Sequence, residues 1–519
     1  MQFQIMDGKN NHIKILELPQ VDNEFIGEVE SRIACMLNKS SITGVGGSRW
    51  SFLKSVSRLG KLKRYNPKHH KGIPQCQEVV HYRPQLLKLV SSWGTDNPTV
   101  VVHSANHSTG ESTLELSGIK AIADDVAELV LTHHDRAMIN LMDYEDEKMP
   151  VTLFISGNPV YNLVASSLIP SDIDPYFFAG LIEGKAVKVV KCLTQELLVP
   201  DDCDYVIEGY ITKNEMFASS EANSNTNFDI NKHPILHITG ITHRKVAANP
   251  FISELPAENR DDYTKIKDFG VLRERIILQF LKYAADNDII DLFLSPYGKG
   301  TALTVVKIRK RYPCHAAKVA HALWGSNQLM LNKVLIVVDE STSEIRSREQ
   351  LLDAIASNYT PKSRTLFSRG PADVSDCYTP VKGFGGKICI DATSKEARAS
   401  IKANNQDTMQ TAGQAASRVE SPAEIVTKGQ VSDESNLSGN NNLSGNNNLS
   451  GNNNLSGNIS AIKFIHKGDK MPADARIIVV LANETDIDDT ALCMHRLMAE
   501  ADPIKDSTYL GNQLIIDIS

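Results

Sequence analysis

GNPVYNLVASSLIPSDIDPYFFAGLIEGKAVKVVKCLTQELLVPDDCDYVIEGYI, residues 157–211, is the stretch of the chain that decides the fold. It opens on a Gly-Asn-Pro turn and ends in two strand-length runs rich in β-branched residues, Ala186–Cys192 and Tyr205–Ile211. A third run of the same kind, Ile235–Ile241, follows after a polar interval. The pattern predicts a β-rich block in the middle of the chain.

On the amino-terminal side, residues 99–103 and 150–156 are also strand-like, whereas residues 119–133 have the apolar spacing of a helix. On the carboxy-terminal side the spacing changes to an alternation of helices and strands. The predicted helices are 271–285, 314–323 and 347–356, and the predicted strands are 289–294, 302–308, 334–338 and 387–391. This alternation predicts an α/β unit that begins near residue 310.

A low-complexity segment interrupts the chain before its last part. Residues 404–458 lack aromatic residues and end in an iterated NLSGNN motif, which cannot bury enough apolar surface to fold and is typical of a flexible linker. Beyond it, ARIIVVLANETDIDD at 475–489 resembles NKVLIVVDESTSEI at 332–345, and GNQLIIDIS at the end resembles GGKICIDATS. The echo fits either an internal duplication or the completion of the preceding domain by a displaced segment.

Bulk composition excludes several classes of protein. The 519 residues carry a net charge of -7, so no basic surplus attracts a nucleic acid backbone. No apolar stretch is long enough for a membrane span or a signal peptide, which makes the cytoplasm the expected location. The 8 cysteines form no CxxC pair, and we expect reduced, mostly buried thiols.

Five blocks carry a resemblance to the UbiD-like decarboxylases, which include 3-polyprenyl-4-hydroxybenzoate decarboxylase. Besides residues 157–211, these blocks are HITGITHRK (237–245), KIRKRYPCHAAKVAHALWG (307–325), KVLIVVDE (333–340) and PVKGFGGKICIDATSK (380–395). The resemblance implies an α/β (α+β) fold in which a central split β-barrel like that of flavin reductases is flanked by amino- and carboxy-terminal α/β domains. The expected divisions are 1–145, 146–310 for the barrel, 311–398, a linker at 399–458, and a segment at 459–519.

The same resemblance implies an activity. UbiD-like enzymes are non-oxidative carboxy-lyases of aromatic or unsaturated acids, in some cases in ubiquinone biosynthesis. They use prenylated FMN, supplied by a flavin prenyltransferase, together with manganese or magnesium and potassium, and they form homo-oligomers. Such a cofactor is chemically sensible because decarboxylation leaves a carbanion, for which side chains offer no electron sink. The rival hypothesis is a degenerate homologue that serves as a structural or oligomer-partner protein.

Glu208, in YVIEGYI, matches the family's metal-binding glutamate, with a solvent-facing side chain as the alternative. The family's N-x-G-x-x-R strand is replaced by ESTLELSGIKA, which leaves Lys120 as the nearby cation for the cofactor. His133 and His134 lie near the position of the family's metal histidine, with surface residues as the alternative.

Glu258, in LPAENRDD, matches the family's catalytic acid, with a solvated acidic loop as the alternative. The family's glycine loop over the cofactor is replaced by MFASSEANSNTNFD at 216–229, which weakens the expectation of tight flavin binding. Glu274 and Arg275 match a family helix motif in which a structural ion pair is expected. His315 is expected to cap or pack a helix.

Overall fold

A computed structural model describes residues 3–6, 13–16, 22–37, 62–93, 98–105, 111–130, 141–218, 232–247, 263–295, 302–372, 383–394 and 460–519, apart from scattered single positions within these ranges. The helices are α1 Asn23–Leu37, α2 Leu86–Trp93, α3 Val160–Ser166, α4 Pro175–Glu183, α5 Tyr263–Ala284, α6 His315–Trp324, α7 Arg348–Asn358, α8 Pro361–Arg364 and α9 Thr490–Glu500. Short 3-10 turns occupy Lys63–Tyr65, Gln75–Gln77 and Asn327–Leu331.

The strands follow the chain from β1 to β21. They are β1 Phe3–Met6, β2 Ile13–Leu16, β3 Lys68–His69, β4 Val79–His81, β5 Thr99–Ala105, β6 Ser112–Ala121, β7 Val126–Leu129, β8 Lys148–Ser156, β9 Lys188–Lys191, β10 Leu198–Pro200, β11 Cys203–Ala218, β12 Lys232–His243, β13 Ile289–Leu294, β14 Leu303–Ile308, β15 Val334–Asp339, β16 Thr365–Pro371, β17 Phe384–Asp391, β18 Ser460–His466, β19 Ala475–Leu481, β20 Ser507–Leu510 and β21 Gln513–Asp517.

Six antiparallel strands close into a barrel in the order β11-β8-β5-β6-β7-β12, because β11 also pairs with β12. β4 pairs with the last residues of β12, 241–243, beyond the residues of β12 that pair with β7. The predicted fold class is therefore confirmed: a β-barrel flanked by α/β regions. The barrel takes β5, β6 and β7 from residues before 146, so its strands lie on both sides of the border expected at residue 145.

Alternation along the barrel strands separates two cores. Tyr205 and Ile207 of β11 belong to the core enclosed by the barrel, which α2 also joins. Val206, between them, belongs to the core on the outer face of the barrel, where α1, α3, α4 and α5 pack. A side chain on an even-numbered position of β11 before the bulge at Gly209 therefore points out of the barrel.

The helix predicted for residues 119–133 is wrong in its described part. Residues 119–121 end β6, residues 122–125 form a bend, and β7 pairs back on β6 with Ile119 opposite Leu129. Ile119, Ala127 and Leu129 all lie in the barrel core. The apolar spacing that also fits a helix is therefore explained by a β-hairpin that buries these side chains. Asp124 in the bend accepts the Leu87 amide at 3.2 Å.

Beyond the barrel, β13-β14-β15-β17-β16 form a mixed sheet, in which β14, β15 and β17 are parallel. The tail forms its own sheet, β18-β19-β21-β20. Both sheets contribute one face to a single shared core that includes α7 and α9. No helix in the described ranges has the length and apolarity that crossing a bilayer requires.

The cysteines follow the expectation within the described chain. Cys76, Cys192, Cys203, Cys389 and Cys493 are buried free thiols, Cys35 is half-buried, and Cys314 is exposed.

Candidate active site

Glu208 is the polar centre of the barrel's outer face. Its side chain is 0% exposed, so the solvent-facing alternative is wrong. The following glycine is required by the local bulge, because a Cβ on Gly209 would lie 2.2 Å from the His237 carbonyl oxygen. The Glu-Gly pair thus fixes a buried carboxylate beside an irregularity of the β11–β12 pairing.

The turn that follows β9 holds the Glu208 carboxylate. The amides of Leu193 and Thr194 donate to it at 2.8 Å and 2.6 Å, and the Thr194 hydroxyl donates at 2.7 Å. Thr239 extends this cluster, since its hydroxyl lies 2.5 Å from that of Thr194. Leu193 is 42% exposed, so a single surface turn separates the carboxylate from solvent.

All of these partners are neutral. Among the residues that the structure describes, no cation forms an ion pair with Glu208. A buried carboxylate is normally paired with a cation or coordinates a metal. An all-oxygen set of carboxylate and hydroxyls suits a hard cation such as magnesium, manganese or potassium, so Glu208, Thr194 and Thr239 fit the type of ion that the sequence resemblance implies.

A row of buried polar residues continues from Glu208 over the two neighbouring strands of the barrel's outer face. In the strand register Glu208 is opposite Thr152 of β8, and Thr152 is opposite His103 of β5. Thr152 lies 3.4 Å from the Cys192 sulfur and also accepts the Gln195 amide. Sequence reasoning missed this row, although a polar residue within each of the apolar strands TVVVH and PVTLFIS was a signal.

His103 is neutral and has a defined tautomer. The Tyr176 hydroxyl donates its single proton to the Leu198 carbonyl at 2.9 Å, so His103 Nδ1, 3.3 Å from that hydroxyl, must be the donor to it. Nε2 is then a lone-pair acceptor, and it is buried without a hydrogen-bond partner. Burial lowers the pKa of His103 to about 4, although the Leu198 carbonyl opposes the shift.

This depressed pKa predicts acid sensitivity. Since the unfolded imidazole has its ordinary pKa of 6.5, the unfolded state binds more protons between pH 6.5 and about 4, and stability falls as the pH falls through that window. The loss contributed by His103 is up to about 3 kcal/mol. In chemical denaturation at pH 7.5 and pH 4.5, His103→Gln is expected to show a smaller difference than the wild type; an equal or larger difference would contradict the assignment.

Lys120 is exposed and lies far from Glu208. Its strand, β6, is three strands from β11 in either direction around the closed barrel, and Lys120 shares the outer face because Ile119 points inward. The two side chains therefore project from opposite sides of the barrel. The structure does not bring Lys120 and Glu208 into one site.

The other predicted site residues, His133, His134 and Glu258, lie outside the described residues, as does most of the replacement loop at 216–229. The roles of His133 and His134 as metal ligands and of Glu258 as the catalytic acid stay predictions.

Glu274 is structural, as the sequence suggested, but its partner is different. It accepts the Leu294 amide at 2.8 Å and pairs with Arg346, whereas Arg275 pairs with Asp291 at 3.3 Å. Burial raises the pKa of Glu274, and the charge of Arg346 opposes that shift.

Asp286, Asp288 and His315 form the one group of clustered acidic and imidazole ligands in the described residues. Burial would raise the pKa of Asp286, but hydrogen bonds from Lys318, the Asp288 amide and His315 outweigh it and lower that pKa to about 2. His315 Nε2 lies 2.8 Å from Asp286, and Lys318 Nζ lies 2.7 Å from it. Because cations already neutralise these carboxylates, the group stabilises the start of α6, in line with the role expected for His315.

The described chain thus combines a closed antiparallel barrel, a mixed α/β domain beside it, and an oxygen-rich polar row on the barrel's outer face. Two family models match the chain. The model of the 3-octaprenyl-4-hydroxybenzoate carboxy-lyase Rift-related domain matches residues 76–255, and the model of the 3-octaprenyl-4-hydroxybenzoate carboxy-lyase C-terminal domain matches residues 269–392. The chain belongs to the UbiD family.

The chain is also similar to curated relatives in sequence and to solved UbiD-class structures in fold. An uncharacterized protein of Aquifex aeolicus is 29% identical over 66% of this chain and 72% of its own length. One from Helicobacter pylori is 32% identical over 48% of this chain, which spans 39% of that protein. The vanillic acid decarboxylase of Sedimentibacter hydroxybenzoicus has a TM-score of 0.57 at 18% identity, covering 76% of this chain and 82% of its own. The UbiD-class enzyme HmfF of Pelotomaculum thermopropionicum, solved with FMN, has a TM-score of 0.52 at 18% identity, covering 69% and 84%.

Proposed function

We propose that the protein is a UbiD-type carboxy-lyase that removes CO2 from an aromatic or unsaturated carboxylic acid. Prenylated FMN would supply the electron sink for the carbanion left by decarboxylation. The observation that carries the proposal is the buried carboxylate of Glu208, which has no compensating cation in the described residues and whose sequence motif resembles that of the family's metal-binding glutamate. Thr194 and Thr239 would help Glu208 to hold a hard cation, manganese, magnesium or potassium.

Two solved structures with a similar fold support decarboxylation as the reaction class. One neighbour is a vanillic acid decarboxylase, and another is HmfF in an evolved dimeric form with prenylated FMN. A phenolic acid, including a quinone precursor of the 3-polyprenyl-4-hydroxybenzoate type, is accordingly the substrate class that we propose. Assembly as a homo-oligomer belongs to the same proposal.

The test is production with and without a flavin prenyltransferase. We expect the co-expressed protein to carry a flavin absorbance band and to release CO2 from at least one member of a panel of hydroxybenzoic, vanillic and cinnamic acids. Glu208→Gln should lower turnover at least about 100-fold, because a lost ligand removes several kcal/mol of charge stabilisation. Glu196→Gln is the matched control, since that side chain is 81% exposed in the same turn region.

A degenerate homologue that acts as a structural partner is the second candidate. It is favoured by the position of Lys120 across the barrel from Glu208 and by the lack of Asn and Arg on β6. A colourless, folded protein that binds neither flavin nor manganese after co-expression would support this candidate and contradict the carboxy-lyase proposal.

A further inference from the structure

The tail sheet repeats the topology of the sheet before it. β14, β15 and β17 are parallel with β16 antiparallel at the edge, and β18, β19 and β21 are parallel with β20 antiparallel at the edge. The first helix between the second and third strands along the chain has 11 residues in both units, α7 and α9. The first unit also contains α6 and α8, which have no counterpart among the described residues of the second unit. The shared order indicates two copies of one structural unit, here called the first unit (residues 302–392) and the second unit (residues 460–519).

The strand register aligns the two units residue by residue. In the first unit Val334 is opposite Ile388 and Val337 is opposite Asp391. In the second unit Ile477 is opposite Leu514 and Val480 is opposite Asp517. The spacing between these pairs is the same along both strands, so Val334 corresponds to Ile477 and Asp391 to Asp517.

A local motif supports this alignment. The Asp391 carboxylate accepts the amide and hydroxyl of Thr393 at 3.0 Å and 2.6 Å. The Asp517 carboxylate accepts the amide and hydroxyl of Ser519 at 3.1 Å and 2.7 Å. The same turn thus ends the corresponding strand of each unit.

Contacts between the units are reciprocal. Lys333, which precedes Val334, donates to the Met498 carbonyl of α9 at 3.0 Å. Arg476, which precedes Ile477, donates to the Ala356 carbonyl of α7 at 3.2 Å. Met498 and Ala356 are both the third residue from the end of their helices. Each unit therefore places one cation on the carboxy-terminal turn of the other unit's helix, where the helix dipole favours it.

One aromatic pair lies on the symmetry axis that these contacts define. Phe367 of β16 is opposite Ile388, and Tyr509 of β20 is opposite Leu514, so the two rings occupy corresponding positions. They contact each other edge to face, with centroids 6.4 Å apart. A residue that meets its own counterpart is the mark of an isologous, two-fold interface.

We propose that residues 460–519 are a second copy of the first unit and occupy, within the same chain, the place of the partner subunit in a two-fold dimer. The core that they share includes Ile336, Val338, Ile477 and Val479 and leaves a cavity of only about 40 Å³. A second chain cannot bind this apolar face while the tail covers it. The sequence predicts a flexible linker over residues 399–458, and a flexible chain of that length has an end-to-end distance of roughly 40 Å, which is long enough for intramolecular pairing.

The test is cleavage of the full chain at a protease site inserted after Asn446. We expect the two fragments to stay together in equal amounts and to elute with the mass of the uncleaved protein in size-exclusion chromatography with light scattering. Because the two bonds are equivalent, Lys333→Met and Arg476→Met should each raise the dissociation constant of the cleaved fragments about 10-fold. Lys463→Met is the matched control, since Lys463 pairs with Asp474 inside the second unit at 2.7 Å, and should change it less than about 2-fold.

Three results would overturn the proposal: separation of the fragments at micromolar concentration, weakening by only one of the two reciprocal variants, or an uncleaved chain whose second unit pairs with another molecule. The last is detected by mixing isotopically labelled and unlabelled chains, cross-linking them, and finding cross-linked peptides that join the first unit of one chain to the second unit of another. Circular dichroism of the uncleaved Arg476→Met chain verifies that it folds, so weaker pairing is distinguished from unfolding.

Discussion

Glu208→Gln is expected to lower the free energy of unfolding by about 4 kcal/mol, because the carboxylate accepts three hydrogen bonds at a site with no exposure. The glutamine side chain has one oxygen in place of two. Its NH2 group would face the backbone N–H of Leu193 or Thr194, so two donors would meet without an acceptor. Each donor left without a partner costs about 1–3 kcal/mol. Urea denaturation measures the loss, and Glu196→Gln should change stability by less than about 0.5 kcal/mol.

The same variant separates the structural role of Glu208 from its proposed role as a cation ligand. Manganese bound to the folded wild type at 100 times its dissociation constant adds about 2.7 kcal/mol of stability. We expect manganese to raise the melting temperature of the wild type and to leave that of Glu208→Gln unchanged. If manganese changes the melting temperature of neither protein, the result contradicts the role of Glu208 as a cation ligand and leaves its structural role unaffected.

The sequence predicted the elements whose signal is local. β11, β12 and β15 contain the predicted β-branched runs, and α7 lies close to its predicted bounds. α5 covers most of the predicted helix but begins earlier, at Tyr263. The hairpin of β6 and β7 was missed because its apolar positions fit two periods, and only pairing with neighbouring strands decides between them.

The candidate site was predictable only in part, since it depends on register between distant segments. The motif identified Glu208, but Thr152 and His103 join it through strand pairings that no local pattern specifies. Lys120 was predicted to lie in the site because it is close in sequence to the replaced family motif. In the closed barrel its strand lies on the side opposite Glu208. The echo in the tail was visible in sequence, whereas the reciprocal contacts of Lys333 and Arg476 were not.

Arg346→Met is expected to cost about 3–5 kcal/mol, because it leaves the buried Glu274 carboxylate without its counter-charge and leaves Asp291 with Arg275 alone. Arg346 pairs with Glu274 and, at 3.0 Å, with Asp291, and it donates to the Leu292 carbonyl at 2.9 Å. Glu274 is 4% exposed, so water cannot replace the lost partner. Arg309→Met is the matched control and should cost less than about 1 kcal/mol, since Arg309 is 49% exposed and its ion pairs with Glu340 and Asp288 are long, at 3.5 Å and 3.9 Å.

The loss in Arg346→Met should also depend on pH. Without the arginine, burial raises the pKa of Glu274 further above that of the unfolded chain, so the folded variant binds more protons and regains stability as the pH falls. Denaturation at pH 8 and pH 5 should therefore show a smaller deficit relative to the wild type at pH 5. Adding Glu274→Gln to Arg346→Met should restore part of the loss at pH 8, because it removes the unpaired charge. A deficit that is independent of pH and unchanged in the double variant would mean that Arg346 stabilises the fold through packing against Phe293, whose ring centroid is 5.7 Å away, and not through charge.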